Sequence, residues 1–157
     1  MTVQQRFLDV TDLVDKLFAK HGISRWSFGF DRSKRSYGKC YVIGKKITLS
    51  RYFCADLDNN MEQIENTILH EIAHALQQEH YPHLPPSHGI VWRSIVEEIG
   101  CKIVNVTGNK GKLPKGKFRA FCPQCGDLEI YMHRIGPAMK AGRYKCKKCR
   151  KPLGWRK

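Results

Sequence analysis

Ile64-Glu65-Asn66-Thr67-Ile68-Leu69-His70-Glu71-Ile72-Ala73-His74-Ala75-Leu76 carries two messages in thirteen residues. Ile64, Ile68, Ile72 and Leu76 recur every four residues, the apolar stripe of a helix laid on a core. Off that stripe lies H-E-x-x-H: His70 and His74 are four apart and share a helix face, so both imidazoles can reach one metal ion. Glu71 sits about 100° round the helix from His70. It can therefore reach a metal-bound water without taking a ligand's place. Two His ligands and a Glu base are the machinery of zinc-assisted hydrolysis, in which the metal polarises the scissile carbonyl and makes water acidic.

This helix starts near Asp58 to Asn60 and reaches about Glu79. Upstream, Thr2 with Gln5 forms a capping box for a first helix, with Phe7, Val10, Val14, Leu17 and Phe18 on one face and Gly22 at its end. Strand-like runs follow at Trp26 to Phe30, Cys40 to Ile43 and Lys46 to Phe53, which read as a small, mostly antiparallel sheet. Downstream, Tyr81-Pro82-His83-Leu84-Pro85-Pro86 breaks the chain. A third helix begins near Ser87 or His88, turns Val91, Ile95, Val96 and Ile99 inward, and stops at Gly100.

A catalytic zinc takes three protein ligands and keeps a fourth position open. Spacing leaves several candidates for the third. His80 stands six residues after His74, but Gln77 occupies the position where a helix-breaking glycine would be needed. Glu97 or Glu98 could reach in from the third helix. His83 lies in the proline loop. His88 begins the third helix after a loop that lets the chain return to the metal.

The chain has 157 residues and a formal net charge of +14. Residues 1–107 hold 13 Lys/Arg against 12 Asp/Glu; residues 108–157 hold 15 against 2. A positive field so concentrated draws polyanions, of which nucleic acid is the commonest. In the same third, Cys122-Pro123-Gln124-Cys125-Gly126 and Cys146-Lys147-Lys148-Cys149 form two C-x-x-C pairs. Four thiolates so spaced suit a closed tetrahedral zinc site, and the metal would supply much of so small a module's folding energy. Lys140, Arg143, Lys145, Lys147, Lys148, Arg150 and Lys151 surround these ligands, with Phe118, Phe121, Tyr131, Tyr144 and Trp155 interleaved. Cations on phosphates and rings under bases are what single-strand binders use. Cys40, Cys54 and Cys101 read as buried thiols, and Trp26 and Trp92 as core or groove packing. No run suits a membrane helix and no secretory leader is evident, so a cytoplasmic setting (nuclear in a eukaryote) is expected.

His70-Glu71-Ile72-Ala73-His74 followed by His88-Gly89-Ile90-Val91-Trp92 resembles the SprT-like metalloprotease family, which pairs H-E-x-x-H-A with a downstream H-G-x-x-[FW]. Lys46-Ile47-Thr48-Leu49-Ser50 looks like the family's strand before the metal helix, and residues 118–157 resemble the zinc ribbon closing bacterial SprT proteins. Arg150 stands where such ribbons often carry glycine. The resemblance implies an α+β, zincin-like core with His88 as third ligand. It also implies two zinc ions, one catalytic and one structural. The eukaryotic relative, Spartan, is a DNA-activated protease that degrades proteins crosslinked to DNA. The expectation is thus a metalloprotease domain over 1–107, a basic linker over 108–117 and a zinc ribbon over 118–157. It would be an endopeptidase acting on DNA-bound or crosslinked proteins, with single-stranded DNA as the expected partner. The alternative is a non-catalytic DNA-binding zinc protein.

Overall fold

Asn60 caps the central helix with both halves of a capping box: its side chain accepts from Gln63 N and the Gln63 side chain accepts from Asn60 N. From there α3 runs Met61–His80 in a computed structural model that describes residues 1–102 and 112–157. Ile64, Ile68 and Ile72 are fully buried and Leu76 nearly so. Each contributes about 1.5–3 kcal/mol by leaving water. Three layers meet this stripe. Helix α1 (Val3–Lys20) brings Val10, Val14, Leu17 and Phe18; a sheet brings Ile47 and Leu49; α4 (Ile90–Glu98) brings Trp92, Ile95 and Val96. Thr2 caps α1 by accepting from Gln5 N, but the Gln5 side chain turns to Asp9, so the expected capping box is only half made. Gly22, at φ +71, ends α1 as expected.

The sheet comprises β1 (Ser27–Asp31), β2 (Gly38–Tyr41) and β3 (Lys46–Ser50) in the order β1-β3-β2. The α+β class stands, but the expectation of an antiparallel sheet holds for only one of its ladders. β2 turns into β3 through a tight turn, with Lys45 N donating to Val42 O and Lys45 at φ 42, and these two strands are antiparallel. β1 lies on the far side of β3 and runs parallel to it, from Ser27 opposite Lys46 to Asp31 opposite Ser50. Strand pairing is decided by which edge a loop delivers the chain to, and no local pattern encodes it.

The run expected as strand to Phe53 ends at Ser50, whose side chain accepts from Phe53 N and caps the short helix α2 (Arg51–Ala55). Arg6, buried on α1, donates to the carbonyl of Asn59. The Asn59 side chain in turn bonds Phe53 O, Lys112 O and Lys112 N.

The chain divides into two units at Leu113/Pro114. Leu113 packs on the first core. The expected boundary at 107 and residues 108–111 of the expected linker lie outside the described residues. The second unit is built on β4 (Phe118–Cys122), β5 (Gly126–Met132) and β6 (Gly154–Arg156), an antiparallel sheet of order β5-β4-β6 with the one-turn helix α5 (Pro137–Lys140). Ala120, Cys122, Cys146 and Leu153 form its small core. Among the described residues no helix is long and apolar enough to cross a membrane.

Candidate metal centre

The helical phase that buries the isoleucines turns His70 and His74 to the side of α3 where α4 begins. The third helix starts at Ile90, with Gly89 as N-cap, rather than at Ser87 or His88. His88 therefore stands before the helix, where its backbone can turn the ring onto α3. Its Nε2 lies 3.1 Å from His74 Nε2 and 3.1 Å from His70 Nε2. Hydrogen bonds alone satisfy such a trio poorly, since one N–H must be split between two lone pairs or two N–H groups must compete for one. A cation at their centre resolves this. Tetrahedral zinc with Zn–N bonds of about 2.0–2.1 Å puts its ligand nitrogens about 3.3 Å apart, which the observed spacing fits.

The imidazoles are also held neutral, as ligands must be. Burial, then the neighbouring His88, lowers His70 to about 4. Burial, then His70 and His88, lowers His74 to about 3. Burial and Arg93 lower His88. Of the candidate third ligands, only His88 joins this cluster among the described residues. His80 instead lines a cavity with His21, Trp26 and Glu79 at the C-terminal end of α3.

Glu71 is 7% exposed, and burial pushes its carboxyl up to about 8. The backbone of β2 lies close against it: a Cβ built on Gly38 would come 2.9 Å from Glu71 Cγ and 3.0 Å from Glu71 Oε1. No local sequence pattern signals this contact. Nor does any signal the role of Trp92, whose ring is packed against all three histidines.

In the second unit, Cys122, Cys125, Cys146 and Cys149 bring their sulfurs within 4.8 Å of one another. Cys122 is lowered to about 6: its burial opposes ionisation, but bonds from the N–H groups of Cys125 and Gln124 outweigh it. Cys146 is lowered by the N–H groups of Cys149 and Lys148. Cys125, facing the Cys149 thiol, is pushed up to about 12. Four thiols this close cannot all ionise without a cation among them, and a closed tetrahedral zinc site is the natural occupant. Gly126 follows the first pair at φ +84; Arg150 follows the second at φ 63, which explains the usual preference for glycine there.

All seven basic residues singled out in the sequence, Lys140, Arg143, Lys145, Lys147, Lys148, Arg150 and Lys151, are exposed. None forms an ion pair among the described residues, because the unit's two acids, Asp127 and Glu129, are taken by Arg119 and Arg156 on the sheet. Of the interleaved rings, Phe121 carries Arg156 and Tyr131 carries Lys115, while Tyr144 is 43% exposed and edge-on to Trp155.

A family model described as the SprT-like family matches residues 4–112. Among curated proteins, the chain is similar to Protein SprT of Vibrio parahaemolyticus serotype O3:K6, 26% identical over 156 residues, covering 97% of this chain and 91% of the relative. It is also similar to Protein SprT of Photorhabdus laumondii subsp. laumondii, 26% identical over 123 residues, 74% of this chain and 59% of the relative. Among solved structures, the metallopeptidase zymogen of Methanocaldococcus jannaschii jannalysin is 19% identical with a TM-score of 0.44, over 60% of this chain and 93% of that one.

Proposed function

The chain belongs to the SprT-like family, and from that premise we propose that it is a zinc-dependent metalloendopeptidase that cleaves proteins bound or crosslinked to DNA. The observation that carries this reading is the convergence of His70, His74 and His88 beside the buried Glu71. Among the described residues no fourth ligand joins these three, as an open catalytic position requires.

The three Nε2 atoms would hold the zinc, and the ion supplies a Lewis acid that polarises the peptide carbonyl and lowers the pKa of water. Glu71 takes a proton from the attacking water as the new C–O bond forms, then gives it to the leaving amine as the C–N bond breaks. Burial raises the Glu71 carboxyl in the metal-free protein; a zinc ion held beside it would favour the carboxylate, the form that takes the proton, while burial keeps that proton available for the leaving amine.

The second unit would bring substrates near. Its seven basic residues, without an ion pair among the described residues, offer phosphates a surface that Asp127 and Glu129 do not neutralise. The exposed Tyr144 could take a stacked base, which favours single-stranded DNA. The four cysteines would hold the second, structural zinc.

The test is cleavage of a basic DNA-binding protein, and of the enzyme itself, by wild type and Glu71→Gln, with and without single-stranded DNA. Cleavage by wild type only, and mainly with DNA, supports the whole reading. Cleavage independent of DNA retains the protease and removes the nucleic-acid half. No cleavage with zinc bound favours a non-catalytic binding protein.

A further inference from the structure

Metal-binding histidines are ordinarily oriented through the ring nitrogen that does not touch the metal, which donates to a carboxylate, a carbonyl or water. Here Nδ1 of His70 and Nδ1 of His74 are both buried with no hydrogen-bond partner among the described residues. A helix alone leaves an imidazole free to turn about its side-chain torsions, so another contact must fix these ring planes.

Trp92 provides it. Its ring centroid lies 4.7 Å from that of His70, 5.3 Å from His74 and 4.5 Å from His88. The His74 ring stacks on it at 29°, whereas His70 and His88 meet it at 65° and 88°. One indole thus contacts three imidazoles that come from α3 and from the chain before α4. Trp92 is 1% exposed, and its own Nε1 is buried without a partner among the described residues. A buried indole N–H ordinarily finds an acceptor, so this side chain is held for its ring and not for its N–H. Ile95 and Val96 further along α4 are buried in the core.

We propose that Trp92 is a positioning residue, the packed surface that keeps the three Nε2 atoms converged and does the work that hydrogen bonds to Nδ1 do elsewhere. The proposal rests on reading the three histidines as a metal centre. It goes beyond that reading in placing their orientation on an aromatic contact.

The test uses the full chain with its cysteine site filled by zinc and the histidine site titrated with cobalt(II), read by chelator competition and by the visible d–d bands. Trp92→Met keeps an apolar, though smaller, side chain without a flat face; cobalt affinity should fall about 10–100-fold, the loss usual when a ligand's orienting partner is removed, and the bands should change shape. Ile95→Val, a core change on the same helix away from the histidines, should leave both unchanged. Native affinity and native bands in a folded Trp92→Met overturn the proposal, as does an equal loss in Ile95→Val. If Trp92→Met does not fold, Trp92→Phe decides: its smaller ring should lower affinity several-fold and alter the bands, and no change overturns the idea. Wild type that binds no cobalt at the histidines brings down the metal-centre reading itself, whereas binding retained in the variants brings down only the role of Trp92.

Discussion

Gly38→Ala should silence the enzyme while leaving its metal in place. The added Cβ would stand 2.9 Å from Glu71 Cγ, 3.0 Å from Glu71 Oε1 and 3.1 Å from Thr67 Cγ2. Carbon atoms pack best at about 3.5–4.0 Å, so about 0.6–1 Å must be found somewhere. The backbone cannot readily yield it, because Gly38 is paired with Leu49 across β3. Thr67 is 4% exposed and its hydroxyl donates to Gln63 O, so it is held as well. The Glu71 carboxylate is left to move by roughly an ångström, and a displacement of that size at a reacting group costs about 10²-fold, or ~2.7 kcal/mol of barrier. The assay is kcat and KM on a protein substrate, with zinc content and melting temperature measured on the same sample. The expected result is kcat down about 10²-fold with KM and zinc held, because the ligand imidazoles lie outside the clash. Wild-type kcat would refute the argument; so would a loss explained by missing zinc.

Glu71→Gln should raise the melting temperature of the metal-free protein at alkaline pH. The carboxyl is pushed from 4.5 to about 8 by burial, so its ionisation weakens the fold as pH rises through that window. The variant should therefore melt above wild type at pH 8 and match it near pH 4.5, read by thermal scans at both. Replacing Lys147, Lys148 and Arg150 together by Gln should weaken binding to single-stranded DNA and lower the log K against log salt slope by about 2, since each phosphate contact accounts for ~0.7; an unchanged slope puts the contacts elsewhere. Arg150→Gly should stabilise the zinc-loaded second unit by about 1 kcal/mol in denaturant unfolding, because Arg150 stands at φ 63. Asn59→Ala should cost about 2–4 kcal/mol, since it leaves Phe53 O, Lys112 O and Lys112 N without their bonds.

Helix α3 could be read almost whole from the sequence, because its period, its cap and its H-E-x-x-H are all local signals. The two cysteine pairs were legible for the same reason. Ser50 was legible but passed over: a serine ahead of Arg51-Tyr52-Phe53 is a helix cap, yet the alternation of Ile47 and Leu49 suggested more strand. The parallel pairing of β1 with β3 lay beyond sequence reasoning, since it depends on which side of β3 the chain is carried to. Gly38 and Trp92 show the same limit at the site. A glycine in a strand and a tryptophan in a helix look like packing, and only the fold sets one against Glu71 and the other against three histidines.

The isoleucine stripe and the histidine pair on α3 have a consequence for how such a chain can change length over generations. A residue inserted between Ile68 and His70 would turn everything after it by about 100°, so either Ile64 and Ile68 would leave the core or Ile72 and Leu76 would leave it together with the histidines. Phase is thus inherited as strictly as residue identity along Met61–His80. Between His74 and His88 the rule relaxes past Tyr81, where the loop through residues 82–86 is largely at the surface and can absorb an insertion as extra slack. Homologous chains aligned on this protein should therefore show gaps in the proline loop and an unbroken register along the helix.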